Sequence, residues 1–537
     1  MKKILCALMV MLLLVSAAGA AGGEKGGTAS AEVTAADYAS QVDMSAWNYN
    51  ESADVYWQVG IVYCATPADA SYENLGIYVP GGYFTAVENG DGTYTCAVNA
   101  EGTVGGYTAA TAPVVIPVNT PGHSAMSAPT GYVSGSAAYT DEGFVYVSAG
   151  CRSSKELGMP VGVVDFKAAI RYLRANDELL PGDCESIFVF GMSGGGSQCA
   201  VLGASGNSAL YEPYLEAIGA VADTSDAVAG VMAWCPITGL DSVDLGHEWS
   251  MGVTRSGLDE LEQQVSDALA GAYKDYINGM GFTDEEGNAL TLETSEEGID
   301  QAGSYYDYVM DVIETSLEHY LVDNEFPLDG FETAEEYIAD LNGDDPWIEY
   351  DAESGEITIR SQYDFTTHCK VASKPVAAFD KLEQGGHQMF GYGDGECSHF
   401  DTVLYEIIKG TEYEAEFAED FARTDELGCT VTERLAMFSP LTYLSPANEG
   451  YGTSDVAPYW RIRSGISQSD TPLMSELNLV LGLRQSGIEA DFETVWALGH
   501  TQAERTGDSE SNFISWVNEC LAGASGEPSA EASREIG

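Results

Sequence analysis

Ser186-Ile187-Phe188-Val189-Phe190-Gly191-Met192-Ser193-Gly194-Gly195-Gly196 decides how the rest of this chain is read. Ile187 to Phe190 are apolar and have the length of a buried strand, and the glycines mark a turn too tight for bulky side chains. Ser197-Gln198-Cys199-Ala200-Val201-Leu202 then reads as a helix, small and apolar enough to lie close on a sheet. A serine at such a turn is strained, with its hydroxyl lifted clear of the sheet. The amides at the helix N-terminus, Gly194 first, face the place where an oxyanion would form. A bare Gly-x-Ser-x-Gly string often occurs by chance in loops; the strand before this one and the helix after it set it apart.

Working outward, β-branched and aromatic runs at Val55–Tyr63, Leu75–Val79, Val114–Val118 and Phe144–Val147 predict strands. A helix is predicted over 163–175, where Phe166, Ile170 and Leu173 share one face and Lys167, Arg171 and Arg174 point elsewhere. Another apolar strand, Val228–Trp234, follows the elbow helix, so strand and helix alternate as a parallel sheet requires. The pattern resumes at Tyr459–Arg463, passes through a helix at Ser475–Arg484, reaches a strand at Phe492–Trp496 and ends in an amphipathic helix carrying Phe513, Trp516, Val517, Cys520 and Leu521. The fold class expected is α/β, a mostly parallel sheet flanked by helices, with the serine on the nucleophile elbow of an α/β-hydrolase.

Between these two stretches the alternation stops. Helical segments around 258–276, 305–321 and 333–341 are broken by acidic, Gly-rich loops, and residues 245–435 are read as an inserted, mainly helical lid domain. The core then comprises residues 41–244 and 436–522. Met1-Lys2-Lys3, an apolar run from Ile4 to Val15 and Ala18-Gly19-Ala20 predict a signal peptide over 1–20 and a secreted protein, the run being too short for a membrane anchor. Residues 21–40 and 523–537 have the composition of disordered flanks.

A formal net charge of -62, from 84 acidic and 22 basic residues, repels nucleic acid and anionic lipid and sets both aside as partners. No Cys-x-x-Cys spacing supports a metal or redox site, and Cys64 with Cys96 is the disulfide pair to test first. Acidic loops such as Asp340-Leu341-Asn342-Gly343-Asp344-Asp345 fit no EF-hand spacing. Neither the cysteine spacings nor the acidic loops point to a metal site.

A serine hydroxyl needs a base within hydrogen-bond reach and an acid that fixes the base's tautomer, and in this fold the chain order is Ser, acid, His. Of seven histidines only His500 follows the last strand, so His500 is the expected base. The loop after Ile462 reads Arg463-Ser464-Gly465-Ile466-Ser467-Gln468-Ser469-Asp470-Thr471, and Asp470, its only carboxylate, is the expected acid. Asp470 could instead cap the following helix, with Asp241 or Asp244 as substitute acid. The turn-rich loop Asn119-Thr120-Pro121-Gly122 is the expected source of the second oxyanion donor, at Gly122.

Gly162 to Tyr214, with Val164-Asp165-Phe166-Lys167-Ala168-Ala169-Ile170-Arg171-Tyr172-Leu173 and the elbow, resembles the bacterial tannases and tannase-like feruloyl esterases. Gly206-Asn207-Ser208, Tyr211-Glu212-Pro213-Tyr214 and Trp234-Cys235-Pro236-Ile237-Thr238 extend the likeness. The resemblance implies a serine carboxylesterase acting on small-molecule esters of phenolic acids through an acyl-enzyme, without a cofactor. It also implies an acid loop of the form Gly-x-x-Asp-x-Asp-Thr, where this chain has Gln468 and then Asp470, so Asp470 is expected to have taken over the orienting role. Lys374-Pro375 with Phe379-Asp380 resembles the segment carrying a phenol-contacting lysine, which makes Lys374 a substrate-binding candidate. The family's glutamate is missing from Gly386-His387-Gln388-Met389-Phe390-Gly391. Two alternatives share the motifs: a secreted peptidase of the prolyl-oligopeptidase kind, disfavoured by the absence of blade-like repeats, and a catalytically decayed hydrolase acting as a binding protein.

Overall fold

The computed structural model describes residues 42–370, 372, 374–381, 388–392 and 397–524. The leader, the first flank, most of the second flank and Gly386-His387 lie outside the described residues. Nine strands form the main sheet, numbered here along the chain: β1 Asn48–Asn50, β2 Val55–Val62, β3 Asn74–Pro80, β4 Pro113–Val118, β5 Val145–Ala149, β6 Asp183–Met192, β7 Gly230–Trp234, β8 Tyr459–Gly465 and β9 Asp491–Val495. Their order is β1-β2-β3-β5-β4-β6-β7-β8-β9. The pairs from β1 through β3 to β5 are antiparallel, and all pairs from β5 through β4 to β9 are parallel. This is the α/β-hydrolase architecture expected from the alternation of elements.

Residue parity sends side chains to two separate cores. Val114, Ile116, Ile187, Val189, Val231 and Ala233 pack on one face, under the helices Val161–Ala175 and Gly194–Ala204. Val115, Phe188, Met232 and Trp234 pack on the other, under Phe513, Trp516 and Val517 of the last helix, Ser509–Ala524. Near-continuous apolar strands are what a sheet covered on both faces needs.

Lys167 and Arg171, which point away from the face of Phe166, Ile170 and Leu173, do not reach solvent. Both are buried, and Asp226, from the loop before β7, accepts from Lys167 Nζ at 2.7 Å and from Arg171 Nε at 2.9 Å. Periodicity within one helix carries no information about a carboxylate arriving from elsewhere in the chain, and a buried cation needs such a partner. Cys64 and Cys96 are likewise buried free thiols, as are Cys151, Cys184, Cys199 and Cys235.

The insertion between β7 and β8 has the three expected helices, at Glu260–Met280, Ser304–Asp323 and Ala334–Asn342. Asp259 caps the first in a capping box with Glu262, and Gly281 ends it in the left-handed conformation. The helices Val243–Met251 and Val431–Phe438 run across the expected boundaries at 245 and 435. Leu269, Tyr273, Ile313 and Phe365 share a hydrophobic core with Ile466, Leu473, Leu477 and Trp496. The insertion therefore packs on the same loops that follow β8 and β9.

Candidate active site

Ser193 sits between β6 and the helix Gly194–Ala204 at φ 58, ψ -122, a strained conformation for a side-chain-bearing residue. Its amide donates to Trp234 O at 2.9 Å, tying the turn to the end of β7. The helix lies so close to the neighbouring strand that a Cβ on Gly195 would meet Val118 O at 2.0 Å, and one on Gly194 would meet Thr120 O and His123 N, each at 2.5 Å. That proximity brings the Gly194 backbone beside the Gly122 amide, whose nitrogen is 3.0 Å from the same point. Gly122, at φ 57, lies in the turn Pro121–His123. The structure thus brings Gly194 and Gly122 together at the elbow.

His500 stands in the loop after β9 and is half-buried. This loop lies on the loop after β8: Ser467 N donates to Leu498 O at 2.9 Å, and a Cβ on Gly465 would meet Gly499 O at 2.0 Å. Cys235, following β7, donates its thiol to Thr501 O at 3.2 Å. Beyond Thr501, Glu504 accepts from Trp234 Nε1 at 2.8 Å and from Arg461 Nη2 at 2.9 Å. The carboxyl ends of β6, β7, β8 and β9 are linked in this way, one to the next, around Ser193 and His500.

Asp470 does not take the orienting place expected of it. His500 Nδ1 lies 2.7 Å from Oε1 of Gln468, a buried residue. The chain turns at Gln468, whose amide donates to Gly465 O at 3.1 Å, directing this side chain beneath the imidazole and leaving Asp470 exposed. Nor does Asp470 cap the next helix, Leu473–Gln485, where Pro472 holds the N-cap position. Asp241 accepts from Ser439 Oγ at 3.1 Å, and Asp244 from the amides of Phe379 and Asp380 at 3.2 and 3.3 Å, so neither substitute reaches His500.

Gln468 is itself held. Its Nε2 donates to Glu476 Oε1 at 2.6 Å and to Ser464 Oγ at 2.7 Å, and Ser464 Oγ donates to Glu476 Oε1 at 3.1 Å. With the amide nitrogen committed to a carboxyl group, the amide oxygen faces Nδ1 and accepts its proton. An oxygen facing Nδ1 is satisfied by the Nδ1–H tautomer of His500, which leaves the Nε2 lone pair to accept a proton. Burial pushes its pKa below the usual histidine value, partly opposed by Asp470, while Lys374 pushes the same way as burial. Glu476 was missed at the sequence level because it lies within a helix; its place three residues into the first turn of an apolar helix is the one available signal.

Lys374 comes to the same neighbourhood. Its Nζ donates to the backbone oxygen of Asp470 and lies 4.4 Å from the centre of the Phe379 ring. Burial lowers its pKa, against Asp470 and Asp244. The other described histidines are engaged elsewhere or sealed off. His319 meets Glu493 at 3.0 Å, His399 meets Asp380 at 3.1 Å, His368 meets Asp364 O at 2.8 Å and His247 lies 3.5 Å from Glu248. His123 is fully buried, its pKa pushed down to about 3 by that burial, and its edge faces Phe438. Among the described residues no cluster of three or more His, Cys, Asp or Glu side chains is arranged for a metal ion, and no helix is long and apolar enough to cross a membrane.

The sheet order and the elbow define an α/β-hydrolase fold. Residues 107–271 match the BD-FAE family model, a feruloyl-esterase-like domain. Over 87% of this chain the structure superposes on 94% of tannin acyl hydrolase from Lactobacillus plantarum, with a TM-score of 0.67 and 26% identity. Fusobacterium nucleatum tannase matches over 87% of this chain and 95% of its own, with a TM-score of 0.68 and 27% identity. A tannin acyl hydrolase in complex with ethyl gallate matches over 86% and 93%, with a TM-score of 0.66 and 27% identity. No curated protein sequence matches the chain. The protein is tannase-like, and its likeness to these esterases supports an ester hydrolase.

Proposed function

We propose that this protein is a serine esterase that cleaves small-molecule esters of phenolic acids through an acyl-enzyme. Ser193 Oγ attacks the ester carbonyl while His500 Nε2 takes its proton, and the imidazolium then returns the proton to the leaving alcohol. The carbonyl oxygen, negative in the tetrahedral intermediate, accepts from the Gly194 and Gly122 amides. Water activated by His500 releases the acid in the second half-reaction. Gln468 takes the orienting place in the triad, with Asp470 and Lys374 on the side that receives the phenolic ring, where the Nζ of Lys374 and the Asp470 carboxylate are suited to ring hydroxyls. The insertion acts as the lid that shapes this cleft. Residues 1–20 direct export and are removed.

The observation that supports this reading is the 2.7 Å contact of His500 Nδ1 with Gln468 Oε1, which occupies one ring nitrogen and, on this reading, leaves Nε2 to serve as the base toward Ser193. An amide acceptor sets the tautomer without supplying charge, so the replacement of the family's aspartate does not by itself silence the site.

The test is hydrolysis of methyl gallate, methyl ferulate and p-nitrophenyl esters, paired with a fluorophosphonate label mapped by peptide mass spectrometry. The label is expected on Ser193, and Ser193→Ala is expected to lose about 10,000-fold or more in kcat/KM. Retention of turnover in Ser193→Ala would reject the mechanism, and ligand binding without turnover by the wild type would favour the binding-protein alternative.

A further inference from the structure

Gln468 can face His500 in two ways. With its oxygen toward Nδ1 it accepts the imidazole proton and leaves Nε2 basic; flipped, its NH2 donates to Nδ1 and moves the ring proton to Nε2, where it blocks proton abstraction from a serine. A carboxylate at this position has no such choice, because both of its oxygens accept. A chain with an amide here needs something that discriminates between the two orientations.

Glu476 has the geometry to do so. It lies in the first turn of Leu473–Gln485, fully buried, and its Oε1 accepts from Gln468 Nε2 at 2.6 Å. Flipping the amide would set the Gln468 oxygen against the carboxyl oxygen at that distance. Ser464, which donates to the same Oε1, reinforces the arrangement. Oε2 of Glu476 is buried and has no hydrogen-bond partner among the described residues, so its carboxyl group meets the site through one oxygen alone. Burial raises its pKa; Lys370, also buried, pulls it down, and Glu476 in turn raises the pKa of the Cys235 thiol. These are the charged and titratable groups that act on the carboxyl group.

We propose that Glu476 is the positioning residue of the site: it locks the Gln468 amide so that its oxygen, not its nitrogen, faces His500, and so restores to an amide-bearing triad the single tautomer that a carboxylate would impose. The inference rests on the esterase reading, and deepens it. Glu476 touches neither substrate nor imidazole; it acts through Gln468.

The experiment is a double-mutant cycle on the full chain, read both as ester kcat and KM and as the rate of fluorophosphonate labelling. In the wild-type background Glu476→Gln, which can present either a donor or an acceptor, is expected to lower kcat and the labelling rate by about 10- to 100-fold with KM little changed. In the Gln468→Asp background, where the orienting group cannot flip, the loss from Glu476→Gln shrinks to about threefold or less. An equal loss in both backgrounds would mean a packing role and overturn the proposal, as would no loss in either, or a loss carried by KM. Glu476→Asp, which keeps the carboxyl group and withdraws the oxygen, carries the same expectation if Glu476→Gln does not fold. Failure of Ser193 to label in the wild type would instead overturn the esterase reading beneath it.

Discussion

The two halves of the candidate site are built differently. The Ser193 half is made of backbone: a strained φ, a turn tied to Trp234 O and glycines packed against Val118 O, Thr120 O and His123 N. The His500 half is made of side chains, in a line from imidazole to amide to buried carboxyl group. A backbone device is fixed by local sequence, because only glycine tolerates the approach. A side-chain device can exchange one acceptor for another provided the next partner adjusts, and here an amide backed by Glu476 stands where the resembling family has an aspartate.

The sharpest way to break this comparison is Gly195→Ala. Its Cβ would meet Val118 O at 2.0 Å, and backbone on both sides leaves little to give way. We expect destabilisation of about 4 kcal/mol or more and little soluble protein, measured by denaturant unfolding and yield. A well-folded variant would show that the elbow is less rigid than its packing implies.

Gln468→Asp sharpens it from the other side. Burial holds the His500 pKa below the ordinary value, so the neutral base persists toward acid pH. A carboxylate at 468 would favour the imidazolium and raise that pKa. The base form would then be lost at higher pH, and the acid limb of kcat/KM is expected to move up by about one pH unit. An unmoved limb would place residue 468 outside the base's environment.

The smallest effect concerns the support beneath Lys374. Asp244 holds the Phe379 and Asp380 amides, and it shares its buried surroundings with Asp380 and Asp401. Burial lifts the Asp244 pKa to about 7, with Asp380 and Glu248 adding to the rise, and lifts that of Asp401 well above the carboxylate range, with Asp244 and Asp380 adding to it. The folded state binds these protons more tightly than the unfolded chain, so this contribution is fully present at acid pH and lost as pH rises through the folded values. Asp401→Asn keeps an N-cap oxygen for Val403 and Leu404 and removes one charge. Its Tm is expected to exceed that of the wild type by a few degrees above pH 7, the difference shrinking as pH falls and vanishing below about pH 4.

What was legible in the sequence divides along the same line. Strands such as Val114–Val118 and Val228–Trp234 are long apolar runs bounded by turn formers, and the structure has strands there at Pro113–Val118 and Gly230–Trp234. The elbow announced itself through its glycines, and His500 through its place after the last strand. Asp470 was misread because charge was weighed above position: it is the loop's only carboxylate, yet the turn at Gln468 sends residue 468 inward and residue 470 to the surface. Glu476 and the Lys167–Asp226 pair were invisible for a common reason. Each depends on partners that only the folded chain brings together, and a helical pattern reports which face is apolar, not what a polar residue on it will meet.

The buried thiols carry a consequence for handling the molecule. Cys64, Cys151, Cys184 and Cys199 are unbridged, and burial lifts each well above the pH at which a thiolate forms. None of the ten described cysteines is bridged, so dithiothreitol has no covalent staple to cut among the described residues.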